Sequence, residues 1–292
     1  MLPRLQIATL LLLAAGSAFG QTHQPPPGKL SNIFRGPLST RVASGDTLAV
    51  SITPGGVVPI YSSSTTIQPG SWVSIYGANL ATGVTSWNGN FPTTLAGTTV
   101  TINNKNAYLY FIAPSQIDVQ APDDTATGTV PVVVTTPAGT ANSTVTLGQF
   151  GPAFCVIGGK YVAGIILRSD GSGTQGGGTY DFIGPAGNSL GFTTVPVKSG
   201  DIVELFGVGF GPTSPPIPAG TVLAPGQYGT ATSPVNMLIN GVAVTPSFVG
   251  ITEAGTFQIN LTIPPALGTG DLTIVALVGG MQTPNGVLIS AQ

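Results

Sequence analysis

The chain has 292 residues, of which 42% are hydrophobic and only 6% are charged, and its formal net charge at pH 7 is −2. Ordinary soluble domains carry about 25% charged residues, so Ser, Thr, Asn and Gln must supply most of the polar surface, and stability should depend weakly on pH. The absence of a basic stripe excludes nucleic acid as a partner, and one Cys with one His excludes an internal disulfide and a clustered zinc site.

Residues 1–20 have the pattern of a secretory signal peptide. Arg4 gives a positive start, an apolar stretch runs from Leu5 to Ala15, and Ala18-Phe19-Gly20 is a small-x-small cleavage site. The apolar stretch is too short to span a bilayer core of roughly 30 Å as a helix, although a retained membrane anchor is the alternative. We therefore expect a secreted, extracellular protein with no integral membrane span once the signal is removed.

Residues 21–46 follow as an extended leader, since they contain Pro25-Pro26-Pro27-Gly28 and little periodicity. From Thr47 onward, short runs rich in Val, Ile, Thr and aromatic residues alternate with Gly, Pro and Asn. That alternation is typical of an all-β sandwich or barrel.

Internal repetition predicts two domains. Three segments recur in the same order, residues 71–80 with 201–210, 100–104 with 237–241, and 116–122 with 258–264. Each copy then has a hairpin pattern, which turns at Pro137-Ala138-Gly139 in the first copy and at Gly279-Gly280 in the second. The sequence thus predicts two tandem immunoglobulin-like β-sandwich domains, residues 47–150 and 200–292, with connecting strands and a Gly-rich loop in residues 151–199.

Period-two alternation assigns the faces of the repeated strands. The positions predicted to face the two cores are Val73, Ile75, Ile117 and Val119 in the first copy and Val203, Leu205, Ile259 and Leu261 in the second. The repeated polar positions Gln116, Asp118, Gln258 and Asn260 fall on the opposite faces. Cys155 lies in the apolar run of residues 152–157 and is expected to be buried.

Several of these segments also carry a family resemblance. The motifs are residues 75–80 (IYGANL), 107–111 (AYLYF), 116–122 (QIDVQAP) and 207–212 (GVGFGP). From about residue 50 to the C-terminus the chain resembles the immunoglobulin-like IPT/TIG group, and more closely the secreted Solibacter-type C-terminal domain family of acidobacteria. The resemblance implies an IPT/TIG-type sandwich fold and an extracellular setting, and it supplies no catalytic residues. Asp118 stands where that family more often has Asn.

Candidate catalytic and metal-binding groups are sparse. His23 lies in the leader, where nothing holds an imidazole in place for a catalytic triad. Glu204 and Glu253 belong to no glycosidase motif, and Asp123-Asp124 lacks the spacing of a calcium loop and is interpreted as a turn. We predict that the protein is not an enzyme and has no catalytic residues, cofactor or metal.

Five residues remain as candidate ligand contacts. Trp87 lies in the polar loop of residues 86–90, where it is either a platform for a sugar ring or a core aromatic. The pairs Gln116 with Asp118 and Gln258 with Asn260 recur in both copies. Their side chains either contact a ligand or bond to neighbouring backbone.

The sequence favours a non-catalytic structural or interaction module of the cell exterior, adhesin-like or matrix-associated. Open sheet edges and low charge suit contact with an extracellular protein by strand addition. The alternative is a carbohydrate-binding module for extracellular polysaccharide, acting through Trp87 and its neighbouring loops. The oligomeric state is not predicted.

Overall fold

The computed structural model describes residues 49–292, which form strands, turns and loops. The predicted signal peptide and the predicted leader, residues 1–20 and 21–46, lie outside the described residues. Within the described part, no helix is long and apolar enough to cross a membrane.

Ten strands build the first sandwich. They are β1 Ser51–Pro59, β2 Thr66–Ile67, β3 Trp72–Ala78, β4 Thr85–Ser86, β5 Thr99–Ile102, β6 Lys105–Asn106, β7 Tyr108–Ala113, β8 Gln116–Gln120, β9 Gly128–Thr136 and β10 Gly139–Leu147. Sheet 1A has the order β1-β3-β8-β7-β4, and sheet 1B has the order β2-β10-β9-β5-β6. The first core lies between these two sheets.

Fifteen strands build the second sandwich. They are β11 Ala153–Phe154, β12 Val156–Ile157, β13 Tyr161–Val162, β14 Gly164–Leu167, β15 Tyr180–Phe182, β16 Ile202–Val208, β17 Thr213–Ser214, β18 Gly229–Ala231, β19 Val235–Ile239, β20 Val242–Val244, β21 Phe248–Glu253, β22 Thr256–Thr262, β23 Gly270–Val278, β24 Met281–Gln282 and β25 Leu288–Ala291. Sheet 2A has the order β15-β14-β16-β22-β21-β18-β17, with β11 beside β16. Sheet 2B has the order β12-β13-β25-β23-β19-β20, with β24 beside β23. Residues 151–199 therefore contribute strands to both sheets of the second sandwich.

The predicted all-β, tandem-sandwich fold class is confirmed. In sheet 1A, β3 pairs with β8 so that Ser74 lies opposite Asp118. In sheet 2A, β16 pairs with β22 so that Glu204 lies opposite Asn260. The repeated apolar positions are fully buried in both copies, at Val73, Ile75, Ile117, Val119, Val203, Leu205, Ile259 and Leu261. Period-two alternation thus assigned the core-facing positions correctly.

Both hairpins also form where the turn residues predict them. β9 turns into β10 across Pro137 and Ala138. β23 turns into β24 across Gly279 and Gly280, whose φ angles of 55° and 78° suit the type I′ turn that a two-residue hairpin needs. β24 is only two residues long, and the last strand, β25, pairs instead with the first half of β23.

Candidate functional site: the junction between the two sandwiches

The outward faces of sheets 1A and 2A pack against each other. They bury a third apolar cluster, here called the junction cluster, separate from the two sandwich cores. The first sandwich contributes Ile60, Trp72 and Tyr110, and the second contributes Ala153, Cys155, Ile157, Ala163, Ile165, Phe182, Phe206 and Val208. The predicted burial of Cys155 is confirmed, because the thiol lies inside this cluster.

Trp87 packs into the edge of the junction cluster. Its ring centroid lies 5.8 Å from that of Trp72, 5.4 Å from that of Tyr110 and 4.5 Å from that of Phe91, all in edge-to-face geometry. Its backbone N–H donates to the carbonyl of Tyr110 at 2.9 Å. This environment favours the core-aromatic interpretation of Trp87 over a sugar platform, since three aromatic rings pack around it.

In each of the two predicted polar pairs, the two side chains hydrogen-bond to each other. Gln116 Nε2 donates to both carboxyl oxygens of Asp118, at 2.9 and 3.0 Å. Gln258 Nε2 donates to Asn260 Oδ1 at 2.8 Å. The shared arrangement explains why the Gln-x-Asp/Asn spacing recurs, because residues two apart on a strand lie on one face and can bond side by side. The side chains bond to each other rather than to neighbouring backbone.

Asp118 is the unusual member of these pairs, because it is a carboxyl buried among neutral donors. Ser74 Oγ donates to its Oδ1 at 2.6 Å, and Gln116 supplies the other bonds. Burial raises the pKa of Asp118 to about 6, although the bonds from Gln116 and Ser74 oppose that shift. In the second sandwich the carboxyl of the matching pair is on the other strand, as Glu204 opposite the neutral Asn260.

Hydrogen bonds join the two sandwiches around the junction cluster. Gln68 and Gly211 exchange two, with Gln68 Nε2 donating to the carbonyl at 2.9 Å and the Gly211 N–H donating to Gln68 Oε1 at 2.8 Å. Three more run from Trp72 Nε1 to the Ala254 carbonyl, from the Gly220 N–H to Gln120 Oε1 and from the Ala219 N–H to Asp123 Oδ2, at 2.8, 2.9 and 3.0 Å. Buried side-chain amides bonded to backbone across an interface fix its register.

Two glycines allow the sandwiches to approach so closely. Gly220 has a φ of 70°, and a Cβ there would lie 2.3 Å from the ring of Tyr108. Gly255 has a φ of 66°, and a Cβ there would lie 2.9 Å from Gln120 Nε2 and 3.0 Å from Trp72 Nε1. Both positions combine a left-handed backbone with a neighbour from the other sandwich, so only glycine fits without displacement.

Asp123 and Asp124 both accept structural hydrogen bonds, Asp123 across the junction and Asp124 within the first sandwich. Asp123 accepts the bond from Ala219, while Asp124 accepts from the Ala126 N–H and from Asn103 Nδ2, both at 2.9 Å. The bonds from Ala126 and Asn103 hold the pKa of Asp124 below its usual value. Among the described residues, no group of three or more His, Cys, Asp or Glu side chains is arranged to hold a metal ion.

A groove of about 590 Å³ lies beside the cross-sandwich bonds. Its polar lining includes Asp123, Thr125, Thr127 and Gln149, and Ile217 belongs to its apolar part. No Lys, Arg or His of the described residues lines it, so it suits neutral or cationic groups better than anions. Pockets of this size commonly bind ligands and occur at domain interfaces.

Burial makes a clear prediction for the thiol. Native Cys155 is expected to stay unmodified by iodoacetamide at pH 8, because it is 5% exposed and burial raises its pKa to about 12. The thiolate is the reactive form, so its fraction at that pH is on the order of one in ten thousand. Mass spectrometry after labelling checks this, with the urea-unfolded protein as the fully labelled control. Fast labelling of the native protein would contradict the buried position.

Sequence reasoning missed the junction, although the sequence contains a signal for it. Trp72 and Tyr76 lie on the polar face of β3, and Phe206 and Val208 lie on the corresponding face of β16. Large apolar side chains on a face that alternation assigns to solvent indicate a second buried surface.

Residues 44–150 match the family model described as the IPT/TIG domain. No curated protein matches the chain. Among solved structures, it is similar to SGBP-B of a Bacteroides ovatus mixed-linkage glucan utilization locus, in complex with a mixed-linkage heptasaccharide, with 11% identity, 78% of this chain and 43% of that chain covered, and a TM-score of 0.32. It is also similar to SGBP-B from a Bacteroides uniformis xyloglucan utilization locus, with 14% identity, 82% and 49% covered, and a TM-score of 0.22.

Domains 5–6 of the S-layer protein SbsC are a third similar structure, with 14% identity, 83% of this chain and 98% of that chain covered, and a TM-score of 0.27. The chain spans less than half the length of the two SGBP-B chains. At these identities and TM-scores the likenesses support no functional inference. What the comparisons establish is that residues 44–150 of this tandem immunoglobulin-like chain match the IPT/TIG domain.

Proposed function

We propose that the protein is a non-catalytic structural or interaction module of the cell exterior in which the two sandwiches act as one rigid unit. The junction carries this proposal. Domains in one chain usually move relative to each other unless their interface is large and hydrophobic. Here the interface combines the junction cluster with five hydrogen bonds between the sandwiches. Such a unit transmits a fixed orientation between its ends, as adhesive or matrix-associated proteins require.

The sequence supports the location. The signal-peptide pattern of residues 1–20 and the resemblance to the secreted Solibacter-type family both favour an extracellular protein. The low charge and the lone buried thiol fit a protein whose stability depends on packing rather than on disulfides.

The mode of contact differs from the strand addition that open edges would favour. Most strands that end a sheet in the described residues have two or three residues, namely β2, β4, β6, β12, β15, β17 and β20. The exception, β1, contains Pro54 and Pro59 and an irregular register between Ile52 and Val57. Short edges, prolines and bulges are devices that block edge-to-edge pairing. A partner would therefore bind to the sheet faces and loops of this protein rather than to its sheet edges.

Co-sedimentation tests the proposal. Purified protein is mixed with isolated cell envelopes, with protease-treated envelopes and with insoluble polysaccharides, and bound and free fractions are quantified. The expected result is capture by envelopes that protease treatment abolishes. Capture by none of these materials would contradict an interaction role.

A carbohydrate-binding module is the second candidate, and the junction groove favours it. Threonine hydroxyls, a glutamine amide and a carboxylate beside an apolar wall are groups that a neutral sugar chain can contact. Retention on one polysaccharide, competed by its soluble oligosaccharide, would support this candidate against the first.

The variant Trp87→Ala separates the two roles of that residue. We expect it to lower the free energy of unfolding by about 1–3 kcal/mol, because a half-buried ring with three aromatic partners is lost. Urea unfolding followed by circular dichroism measures this. Val84→Ala, at an apolar side chain that is 70% exposed, is the control, with an expected change within about 0.5 kcal/mol. Loss of polysaccharide retention with unchanged stability would favour the sugar platform.

A further inference from the structure

Asp118 is a carboxyl enclosed at the boundary of the two sandwiches. It lies on the face of β8 that turns away from the first core, yet only 7% of it is exposed. On the two neighbouring strands of sheet 1A, β3 and β7, Trp72 and Tyr110 belong to the junction cluster, in which they pack with the second sandwich. A carboxyl in such a position has lost most of its contact with water.

The groups that bond to Asp118, or whose pKa its charge raises, belong to its own sandwich, and two of them, Tyr61 and Tyr110, also pack against the junction cluster. Its own sandwich supplies the donors Ser74 and Gln116, and the phenols Tyr61, Tyr76 and Tyr110 lie close enough for its charge to raise their pKa values. Two groups of the second sandwich are also close to these phenols. The charge of Cys155 raises the pKa of Tyr61, and the charge of Glu253 raises the pKa values of Tyr110 and Cys155. Lys, Arg and His are absent from the charged groups that affect Asp118 in the described residues.

Ionisation of Asp118 therefore works against the closed junction. A buried carboxylate without a cation is stabilised only by its hydrogen bonds, and burial outweighs those bonds here, as the pKa of about 6 indicates. Opening the junction would admit water and return the pKa toward its ordinary value of 3.8. Proton binding then favours the closed form, since that form binds the proton more tightly.

We infer that Asp118 makes the junction a proton-operated latch, in which the protonated carboxyl holds the sandwiches closed and the ionised carboxyl lets them part more readily. The inference rests on the proposed function, in which the closed pair is the working unit. Because the pKa is raised in the closed form, the favourable contribution is complete below about pH 4 and is lost as pH rises through about 6. In the second sandwich the matching position is occupied by a neutral amide, Asn260, which does not ionise.

The substitution Asp118→Asn tests the latch with a side chain already used in the repeat. Gln258 bonded to Asn260 is the same arrangement with an amide, so Gln116 can keep its bond to Asn at position 118. Hydrogen exchange is measured by mass spectrometry at pH 4, 6 and 8 and corrected for the intrinsic pH dependence of exchange. Exchange in residues 60–76 and 153–165 reports opening of the junction. Exchange in residues 130–136 reports the core of the first sandwich, and exchange in residues 272–278 reports the core of the second.

We expect the opening constant of the junction in the wild type to rise between about tenfold and a hundredfold from pH 4 to pH 8. In Asp118→Asn the rise should be smaller than in the wild type by most of that factor, while the core strands behave alike in both proteins. Glu204 and Glu253 remain in both, so the difference isolates Asp118. The matched control Asp170→Asn removes an exposed carboxylate in a loop and should retain the wild-type rise.

Two results would overturn the latch. One is junction protection that is the same at pH 4 and pH 8 in the wild type, and the other is an equal rise in Asp118→Asn. If that variant does not fold, carboxyl ¹³C titration of the wild type decides instead, since a midpoint near 6 supports the latch and one near 4 refutes it. A junction unprotected at every pH would refute the proposed rigid unit itself, whereas a protected but pH-independent junction refutes only the latch.

Discussion

Replacing Trp72 by alanine is expected to lower the free energy of unfolding by about 3–5 kcal/mol, the cost typical of deleting a buried aromatic side chain. Trp72 is 4% exposed and belongs to the junction cluster between the sandwiches. Its ring packs against Trp87 and Tyr110 at centroid distances of 5.8 and 5.6 Å, and its indole N–H donates to the Ala254 carbonyl. Alanine removes the apolar surface, two aromatic contacts and the donor together.

The same substitution should change how the protein unfolds. Each sandwich has its own core, so the junction is what couples them. We expect the wild type to melt in one calorimetric transition and Trp72→Ala to melt in two, because domains without a strong interface unfold separately. The matched variant Trp72→Phe keeps an aromatic ring but loses the bond to Ala254, and should cost about 1–2 kcal/mol. A cost below 1 kcal/mol for Trp72→Ala, with a single transition, would contradict a coupling role for the junction.

The sandwich cores could be predicted from sequence because two independent signals agree there. Alternation identifies Val73 and Ile75 as core residues, and repetition places Val203 and Leu205 at the equivalent positions. The Gly-Gly turn of the second hairpin was equally predictable, since positive φ at both residues is a local requirement. Local geometry and periodicity are properties of short segments, which a sequence displays directly.

The junction could not be assigned in the same way. A period of two separates the faces of a strand, but it does not tell whether the second face meets water or another domain. Trp72 and Phe206 on the polar faces indicate that these faces are buried. The surface that covers them, however, depends on how residues 151–199 join the second sandwich. The polar pairs show the same limit, because Gln116 and Gln258 were recognisable as repeated but their bonding partners depend on packing.

The pH dependence of stability illustrates what composition misses. Few charged residues predicted a weak response to pH. Asp118 predicts an exception, because one buried carboxyl with a raised pKa contributes more to the pH dependence than many solvated ones. The number of charges in a chain thus says less than the position of each.

Removing the Arg168 side chain is the second substitution expected to lower the free energy of unfolding strongly. Its Nε donates to Asp181 Oδ2 at 2.7 Å and its Nη1 donates to Asp201 Oδ1 at 2.8 Å. Both carboxylates are buried. We expect Arg168→Ala to lower the free energy of unfolding by about 3–5 kcal/mol at pH 7, the range observed when one partner of a buried ion pair is removed. The exposed Lys105, paired with Asp124 at 3.3 Å, offers the matched control, and Lys105→Ala should cost at most about 1 kcal/mol.

The stability lost in Arg168→Ala should also depend on pH, and it should become smaller as the pH falls. Burial pushes the pKa of Asp181 up, but the bonds from Arg168 and from the Thr174 N–H outweigh it and hold the pKa below the ordinary 3.8. A lowered pKa contributes stability that is present above the ordinary value and lost as pH falls through the lowered one. Without Arg168 that contribution disappears and burial dominates, so the gap between wild type and Arg168→Ala should be widest near neutrality and narrow below pH 4. Urea unfolding at pH 7, 5 and 3 measures the gap, and a gap that widens on acidification would contradict the role assigned to Arg168.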